Sequence, residues 1–411
     1  MIGIIGGGQL ALMLGDAAVQ LGLDPLIFSG SKDDPAAQKH KAILGTLGEA
    51  DAVREFFSKA KKVIFENEFV DCDRLEDLGK GTIEFLPSLS VIRLFQDKLE
   101  QKRALLRLGV DTAPFLELGL PQNISKDTLR EVLSKLGGSC VLKWSRMGYD
   151  GKGVLFLTEA ELDQPRVWDF LKNAGSKGAL IYAEKKIPFK RELAIIGLNS
   201  ISGDFLSYPL VVSEQTQGIC SLVYGPATAA GVPESLQQKA RTFAKKIAQS
   251  ENLVGAFALE FFETQEGEIL VNEIAPRVHN SGHYTQDAGM CDQFENHLRA
   301  VVGMPLGPVS SKGVFGMINL LGPQGLVRES MDGPFVRRWS EKVQLHWYGK
   351  KEISPFRKVG HLNAYDPTAT ASAPSQGSQQ VLVRTLQSAR DEWEKKLRAQ
   401  PKFFRFDEEI K

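Results

Sequence analysis

Apolar residues in the first 97 positions follow two rhythms. Continuous runs at 2–5, 25–28 and 62–66 read as buried strands, and helical spacing follows Gly8 and covers 50–60. Strands and helices in alternation predict a parallel βα unit. From Asp97 a helical pattern runs through Lys98, Leu99, Lys102 and Leu105 to Gly109, where a second unit begins. Its strand signals come in pairs, 140–144 before a glycine-rich stretch ending at 154, and 179–184 before 191–196. Apolar stretches at 256–262 and 269–274 flank the polar turn Thr264-Gln265-Glu266-Gly267 and predict an antiparallel hairpin. Further on, runs at 313–322, 344–350 and 357–362 suggest a small β-rich unit, 368–380 a linker and 381–398 a terminal helix. The expected domains are therefore 1–97, 98–303 and 304–411, with α/β and α+β character and no internal repeat.

Two carboxylates interrupt the predicted hairpin. A loop of two or four residues sets Glu263 opposite Glu268, Glu260 opposite Val271 and Glu273 opposite Ala258. Glu260 and Glu273 then share a face as diagonal neighbours roughly 7–8 Å apart, within reach of one Mg²⁺. An odd loop would turn them to opposite faces. The competing reading is a half-exposed hairpin with both glutamates in solvent. Against it stand Arg277, His279, Asn280 and His283, cations and donors suited to an anionic substrate beside a metal.

Composition narrows the classes. A chain of 411 residues has room for two or three cores. Lys plus Arg and Asp plus Glu both number 50, so no charge footprint argues for nucleic acid or a membrane surface as partner. Residues 1–6 lack a basic region and no apolar run approaches the ~20 residues that span a bilayer, so the cytoplasm is the expected location. Cys72, Cys140, Cys220 and Cys291 form no metal spacing and read as reduced thiols. His40, His297 and His346 likewise read as surface or core residues.

Two loops suit phosphate. Gly6-Gly7-Gly8-Gln9-Leu10 turns a strand into a helix and aims backbone N–H groups at an anion. Ala11 replaces the last glycine of the dinucleotide pattern, and Ser29-Gly30 stand where an acidic residue would hold a ribose; close helix–strand packing is the competing reason for the glycines. Gly148-Tyr149-Asp150-Gly151-Lys152-Gly153 suits a flexible cover for a triphosphate, although Asp150-Gly151 is also a good hairpin turn. Lys143, inside an apolar strand, needs a counter-anion or a route to water.

In order along the chain, Gly6-Gly7-Gly8-Gln9-Leu10, Phe65-Glu66-Asn67-Glu68, the 148–153 loop, Glu260 with Asn272-Glu273, Ala275-Pro276-Arg277-Val278-His279-Asn280-Ser281-Gly282-His283 and Arg357-Lys358-Val359-Gly360-His361 resemble the 5-(carboxyamino)imidazole ribonucleotide synthase family of ATP-grasp ligases. The resemblance implies an ATP-grasp architecture: an N-terminal Rossmann-like parallel sheet, a central ATP-grasp domain and a small C-terminal β-rich domain. It implies ATP-driven carboxylation of aminoimidazole ribonucleotide by bicarbonate through carboxyphosphate, in a cytoplasmic homodimer using ATP and Mg²⁺, with Mn²⁺ as a substitute.

The implied roles follow residue by residue. Glu260 and Glu273 would hold the metal. ATP would meet Lys98, Lys143, the loop Gly148, Tyr149, Asp150, Gly151, Lys152 and Gly153, the hinge Glu184, Lys185, Lys186 and Ile187, then Glu192 at the ribose, Gln215, Asn272 and Glu273. Gln9, Leu10, Glu68, Asn280, Lys350, Arg357 and Lys358 would meet the ribonucleotide, with Lys350, Arg357 and Lys358 at its 5′-phosphate. Arg277 and His279 would hold bicarbonate or carboxyphosphate, and Tyr149 and Asp150 would close over both sites. Asp150 and His279 are the candidate bases, His the better match to neutral pH.

Two departures stand out. Glu273-Ile274-Ala275 lacks the asparagine of the usual Glu-x-Asn, and Gln215 stands where some relatives carry histidine. The alternatives are another ATP-grasp ligase, disfavoured by Ala275 and Val278-His279-Asn280, a nicotinamide oxidoreductase resting on the first glycines alone, and a nucleotide sensor, disfavoured by two metal ligands.

Overall fold

The computed structural model describes residues 1–148, 152–327, 329–330, 342–369, 376–399 and 405–406. Strands β1 (Ile2–Ile5), β2 (Pro25–Ser29), β3 (Ala42–Leu44), β4 (Lys62–Phe65) and β5 (Glu84–Phe85) form a parallel sheet in the order β3-β2-β1-β4-β5. β1 and β2 are buried at every position, because helices cover both faces. Leu14 and Ala18 of the helix Gln9–Gln20 pack with Ile2 and Ile4 on one face; Val53, Phe56 and Phe57 of the helix Ala50–Lys59 pack with Ile5 and Val63 on the other.

A second, antiparallel sheet contains β6 (Phe115–Gly119), β7 (Ser139–Trp144), β8 (Val154–Thr158) and β9 (Ile181–Lys185), in the order β6-β9-β7-β8. β7 and β8 make the expected hairpin around the glycine-rich loop. β9 does not pair with the strand that follows it. β10 (Phe189–Asn199) instead belongs to a third sheet, so residues 186–188 cross from one sheet to another.

That third sheet continues through β11 (Phe205–Ser207), β12 (Val211–Thr216), β13 (Ile219–Gly225), β14 (Gly255–Thr264), β15 (Ile269–Ala275) and β16 (Val314–Leu321). Its far side is completed by Lys358–Asp366 and Val343–Trp347. The strands expected to build a C-terminal unit thus extend the central sheet. The helix Gln376–Arg398 starts before the expected position 381 and packs Leu382, Leu386 and Trp393 onto this extension. Among the described residues no helix is long and apolar enough to cross a membrane, and the four cysteines are free thiols.

The β14–β15 hairpin departs from the expected register. Thr264 N–H donates to Glu268 O at 2.8 Å, closing an odd loop, and the ladder runs Glu263 to Ile269, Phe262 to Leu270 and Phe261 to Val271. None of the pairs Glu263–Glu268, Glu260–Val271 or Glu273–Ala258 forms. The odd loop alone would have separated Glu260 from Glu273. A β-bulge inserts Asn272, and beyond it Glu260 lies directly opposite Glu273.

The first glycines are explained by a carboxylate of the protein itself. Glu66 Oε2 accepts Gly8 N–H at 2.7 Å at the start of the first helix, where a phosphate had been one reading. A Cβ at Gly8 would lie 2.1 Å from Glu66 Oε1, and one at Gly7 2.1 Å from Ser29 Oγ. Gly6 adds a φ of +121° and would bring a Cβ to 2.6 Å from Glu66 Cβ. Gly6→Ala should therefore cost about 1–3 kcal/mol, read as a lowered urea midpoint at unchanged m-value.

Histidines give the fold a pH dependence. His297 is buried on the helix Gln293–Val302, its Nδ1 accepts Ala256 N–H at 2.9 Å, and burial pushes its pKa down to about 4. His283 and His361 are also held well below 6.5, by burial first and then by neighbouring imidazoles. Below pH 6.5 these histidines take up protons in the unfolded chain that they refuse in the folded one, so the stability they contribute is full above that pH and is lost as pH falls toward 4. His297 alone should account for about 3 kcal/mol over that window, and His297→Gln should show a correspondingly flatter pH dependence of urea unfolding.

Candidate active site

A cleft of about 960 Å³ is walled by the two antiparallel sheets and by residues that follow β1 and β4 at the carboxyl edge of the parallel sheet. Its floor is acidic. The bulge turns Asn272 and Glu273 together toward Glu260, and Glu192 of β10 lines the cleft beside them. Burial, reinforced by the Glu273 and Glu192 carboxylates, pushes Glu260 up to about 7, and burial pushes Glu192 up to about 7. Lys98 Nζ lies 2.7 Å from Glu273 Oε2. Burial opposes the Lys98 charge, but Glu273, with Glu260 and Glu68 beyond it, outweighs that and raises its pKa.

The counter-anion required by Lys143 is Glu184. Lys143 Nζ reaches Glu184 Oε2 at 2.6 Å and donates to Asn272 Oδ1 at 3.2 Å. The other carboxylate oxygen lies 2.7 Å from Nζ of Lys102, a buried lysine that the sequence reading passed over as one more residue of a helix. Burial would raise the Glu184 pKa, yet Lys102 and Lys143 outweigh it and hold the carboxyl at about 2. The Glu184 carboxylate is thus committed to two lysines, while Lys185, Lys186 and Ile187 continue along the cleft wall.

Beside this hinge lies an apolar slot of Val141, Val154, Phe156, Phe189 and Phe262. Phe189 and Phe262 stack at 4.8 Å and 11°. Phe156 and Phe189 are 56% and 43% exposed, a large aromatic surface suited to a planar ligand. The sequence carried a usable signal for one of them: in Val154-Leu155-Phe156-Leu157 the phenylalanine alternates with two leucines that point into the core.

At the opposite end Arg277 and Glu68 form a two-pronged pair, Nε to Oε2 at 2.5 Å and Nη2 to Oε1 at 3.3 Å. Burial opposes the guanidinium charge and Glu68 more than compensates, raising its pKa. His279 Nδ1 accepts Ser281 N–H at 3.3 Å and lies 2.9 Å from Ser281 Oγ, and Nε2 faces Glu260 Oε1 at 3.8 Å. Burial, then Arg277 and Lys358, hold its pKa well below 6.5, so the ring is neutral and Nε2 carries its proton. Asn280 is buried, lines the cleft, and neither amide atom has a hydrogen-bond partner in the protein.

Of the remaining expected residues, Gln9, Leu10, Gly148, Lys152, Gln215 and Lys358 line the same cleft. Glu66 and the turn Gln217-Gly218 also line it and were not anticipated. Gly153, Lys350 and Arg357 do not. A Cβ on Gly153 would lie 3.0 Å from the Trp144 ring, Lys350 Nζ donates to Lys358 O at 2.7 Å, and Arg357 Nη1 lies 3.8 Å from Glu352. Tyr149, Asp150 and Gly151 lie outside the described residues.

Family models match in three consecutive segments: a ribonucleotide synthetase preATP-grasp domain over 1–96, an ATP-grasp domain over 103–294 and a phosphoribosylaminoimidazole carboxylase C-terminal domain over 316–373. The N5-carboxyaminoimidazole ribonucleotide synthase of Synechococcus elongatus is 36% identical, across 93% of this chain and 94% of its own. The crystal structure of the N5-carboxyaminoimidazole ribonucleotide synthetase from Thermus thermophilus has a TM-score of 0.79 at 34% identity, covering 94% of this chain and 98% of its own. An Aspergillus clavatus synthase in complex with ADP and 5-aminoimidazole ribonucleotide has a TM-score of 0.80 at 29% identity, covering 95% and 98%. Because the identity runs through nearly the whole chain and is not confined to the nucleotide-binding segment, the chain belongs to the N5-carboxyaminoimidazole ribonucleotide synthase family.

Proposed function

We propose that the cleft carboxylates the exocyclic amine of 5-aminoimidazole ribonucleotide with bicarbonate and ATP, giving 5-(carboxyamino)imidazole ribonucleotide, ADP and phosphate in de novo purine biosynthesis. The observation that carries this reading is the opposed Glu260–Glu273 pair, flanked by Lys98 and Lys143 and sharing one cleft with Arg277 and His279. Bicarbonate is a poor electrophile until one oxygen becomes a leaving group. Its oxygen attacks the γ-phosphorus, ADP departs, and carboxyphosphate results. The amine nitrogen then attacks the carboxyl carbon, phosphate departs and the amine loses a proton.

The donor set fits a divalent cation. Two carboxylates on adjacent strands repel unless a cation lies between them. Mg²⁺, or Mn²⁺ in its place, would neutralise charge on the phosphoryl oxygens when bound at Glu260 and Glu273. Lys98 and Lys143 add fixed positive charge beside it. The adenine takes the slot of Phe156, Phe189 and Phe262 along the hinge 185–187, Glu192 accepts the ribose hydroxyls, and Gln215 borders the nucleotide.

Asn280, with its unsatisfied amide, Gln9, Leu10, Glu68 and Lys358 face the ribonucleotide, and Lys350 and Arg357 adjoin Lys358 toward its phosphate. His279, with Nε2–H directed into the cleft, suits donation to a carboxyphosphate oxygen better than removal of the amine proton. Asp150 remains the candidate base. A nicotinamide reading is disfavoured because Glu66 occupies the first helix terminus. Domain limits at 97 and 303, a homodimer and a cytoplasmic location complete the proposal.

ADP release from ATP and Mg²⁺ should require both aminoimidazole ribonucleotide and bicarbonate; release independent of the ribonucleotide would sink the assignment. Glu273→Gln should lower kcat by at least about 100-fold with little change in thermal unfolding, and a wild-type rate would refute the metal role.

A further inference from the structure

The helix Lys98–Arg107 turns Lys98, Gln101 and Lys102, spaced i, i+3 and i+4, toward β15. β15 is the edge strand of its sheet, where a ladder slips most easily. Gln101 Oε1 accepts Ile274 N–H at 2.9 Å, and Nε2 donates to Ile274 O at 3.0 Å and to Phe95 O at 2.6 Å. One side-chain amide thereby makes both hydrogen bonds that a neighbouring strand would make.

Lys102 Nζ donates to Thr112 Oγ1 at 2.7 Å and to Val271 O at 3.4 Å, and forms an ion pair with Glu184 Oε1 at 2.7 Å. Thr112 Oγ1 donates to the same Val271 O at 2.7 Å, and Val271 N–H donates to Asp111 O at 2.8 Å. Val271 and Ile274 are thus both held at the outer edge, on either side of the bulge at Asn272.

We infer that Gln101 and Lys102 are positioning residues that fix this bulge and so bring Asn272 and Glu273 to the cleft together. In the regular register set by the loop, Asn272 would face Glu260 and Glu273 would turn to the opposite face. The clamp on Ile274 fits only the shifted register. Lys102 has a second effect, because the same ammonium fixes Glu184 and Glu184 orients Lys143. One helix face therefore sets the acidic and the basic side of the nucleotide site. The inference rests on the metal role proposed for Glu273.

Two variants of the full-length chain test it. Gln101→Met keeps side-chain length and the charge of the site but removes both bonds to Ile274. Thr112→Val is isosteric and removes the hydroxyl that joins Lys102 to Val271. ADP affinity is measured by calorimetry in MgCl₂ and in EDTA. In Gln101→Met the ratio of the two affinities should fall about 10-fold, and in Thr112→Val by less, with the EDTA affinity unchanged in both. Loss of packing alone would lower the unfolding temperature and leave the ratio intact. A wild-type ratio in folded Gln101→Met, or in Thr112→Val should the first variant not fold, overturns the inference. A wild-type protein without magnesium dependence would remove the metal reading, and this inference with it.

Discussion

A carboxylate buried between two ammonium groups ties the walls of the cleft together. Glu184 rises from β9, Lys102 comes from the helix Lys98–Arg107, and Lys143 comes from β7. Removing one partner of such a buried group leaves an uncompensated charge, typically a loss of about 3–5 kcal/mol. The arrangement has little freedom: each carboxylate oxygen takes one lysine, and each lysine also reaches β15, through Val271 O or Asn272 Oδ1. Four elements are held at fixed separation by three side chains.

Against that balanced cluster, the floor of the cleft is unevenly compensated. Glu273 pairs with Lys98 and Glu68 with Arg277, whereas at Glu260 burial and the Glu273 and Glu192 carboxylates outweigh Lys98 and Lys358, and burial alone raises the half-buried Glu192. Carboxylates raised to about 7 are strained as anions, and the divalent cation proposed for Glu260 and Glu273 would relieve that strain. Arg277 and Glu68 neutralise each other at the other end, where the buried Asn280 amide has no hydrogen-bond partner in the protein.

Much of the architecture was legible locally. Alternating runs marked the parallel sheet, because a strand covered on both faces must be apolar throughout, and the polar turn marked the β14–β15 hairpin. Lys143 in an apolar strand called for either a counter-anion or a route to water, and only the fold supplies Glu184. Other readings failed where the answer lay far along the chain. The first glycines suit phosphate and suit a buried glutamate equally well, and only Glu66, 58 residues away, decides between them. Strands at 179–184 and 191–196 looked like partners because they are adjacent in sequence, whereas the three residues between β9 and β10 suffice to cross into another sheet.

The sequence by itself determined the family, through motifs spread from Gly6 to His361, and marked many of the charged residues of the cleft, but Lys350 and Arg357 lie outside its lining and Glu66 joins it. It did not determine how Glu260 and Glu273 meet. Residue parity around an odd loop separates them, and the bulge that reunites them draws on Gln101 and Lys102, 173 and 169 residues from their partners in β15. Beyond the bulge the outward N–H and C=O of Ile274 are bonded by Gln101, from a helix outside the hairpin, so the pairing of the two carboxylates is a property of the tertiary structure.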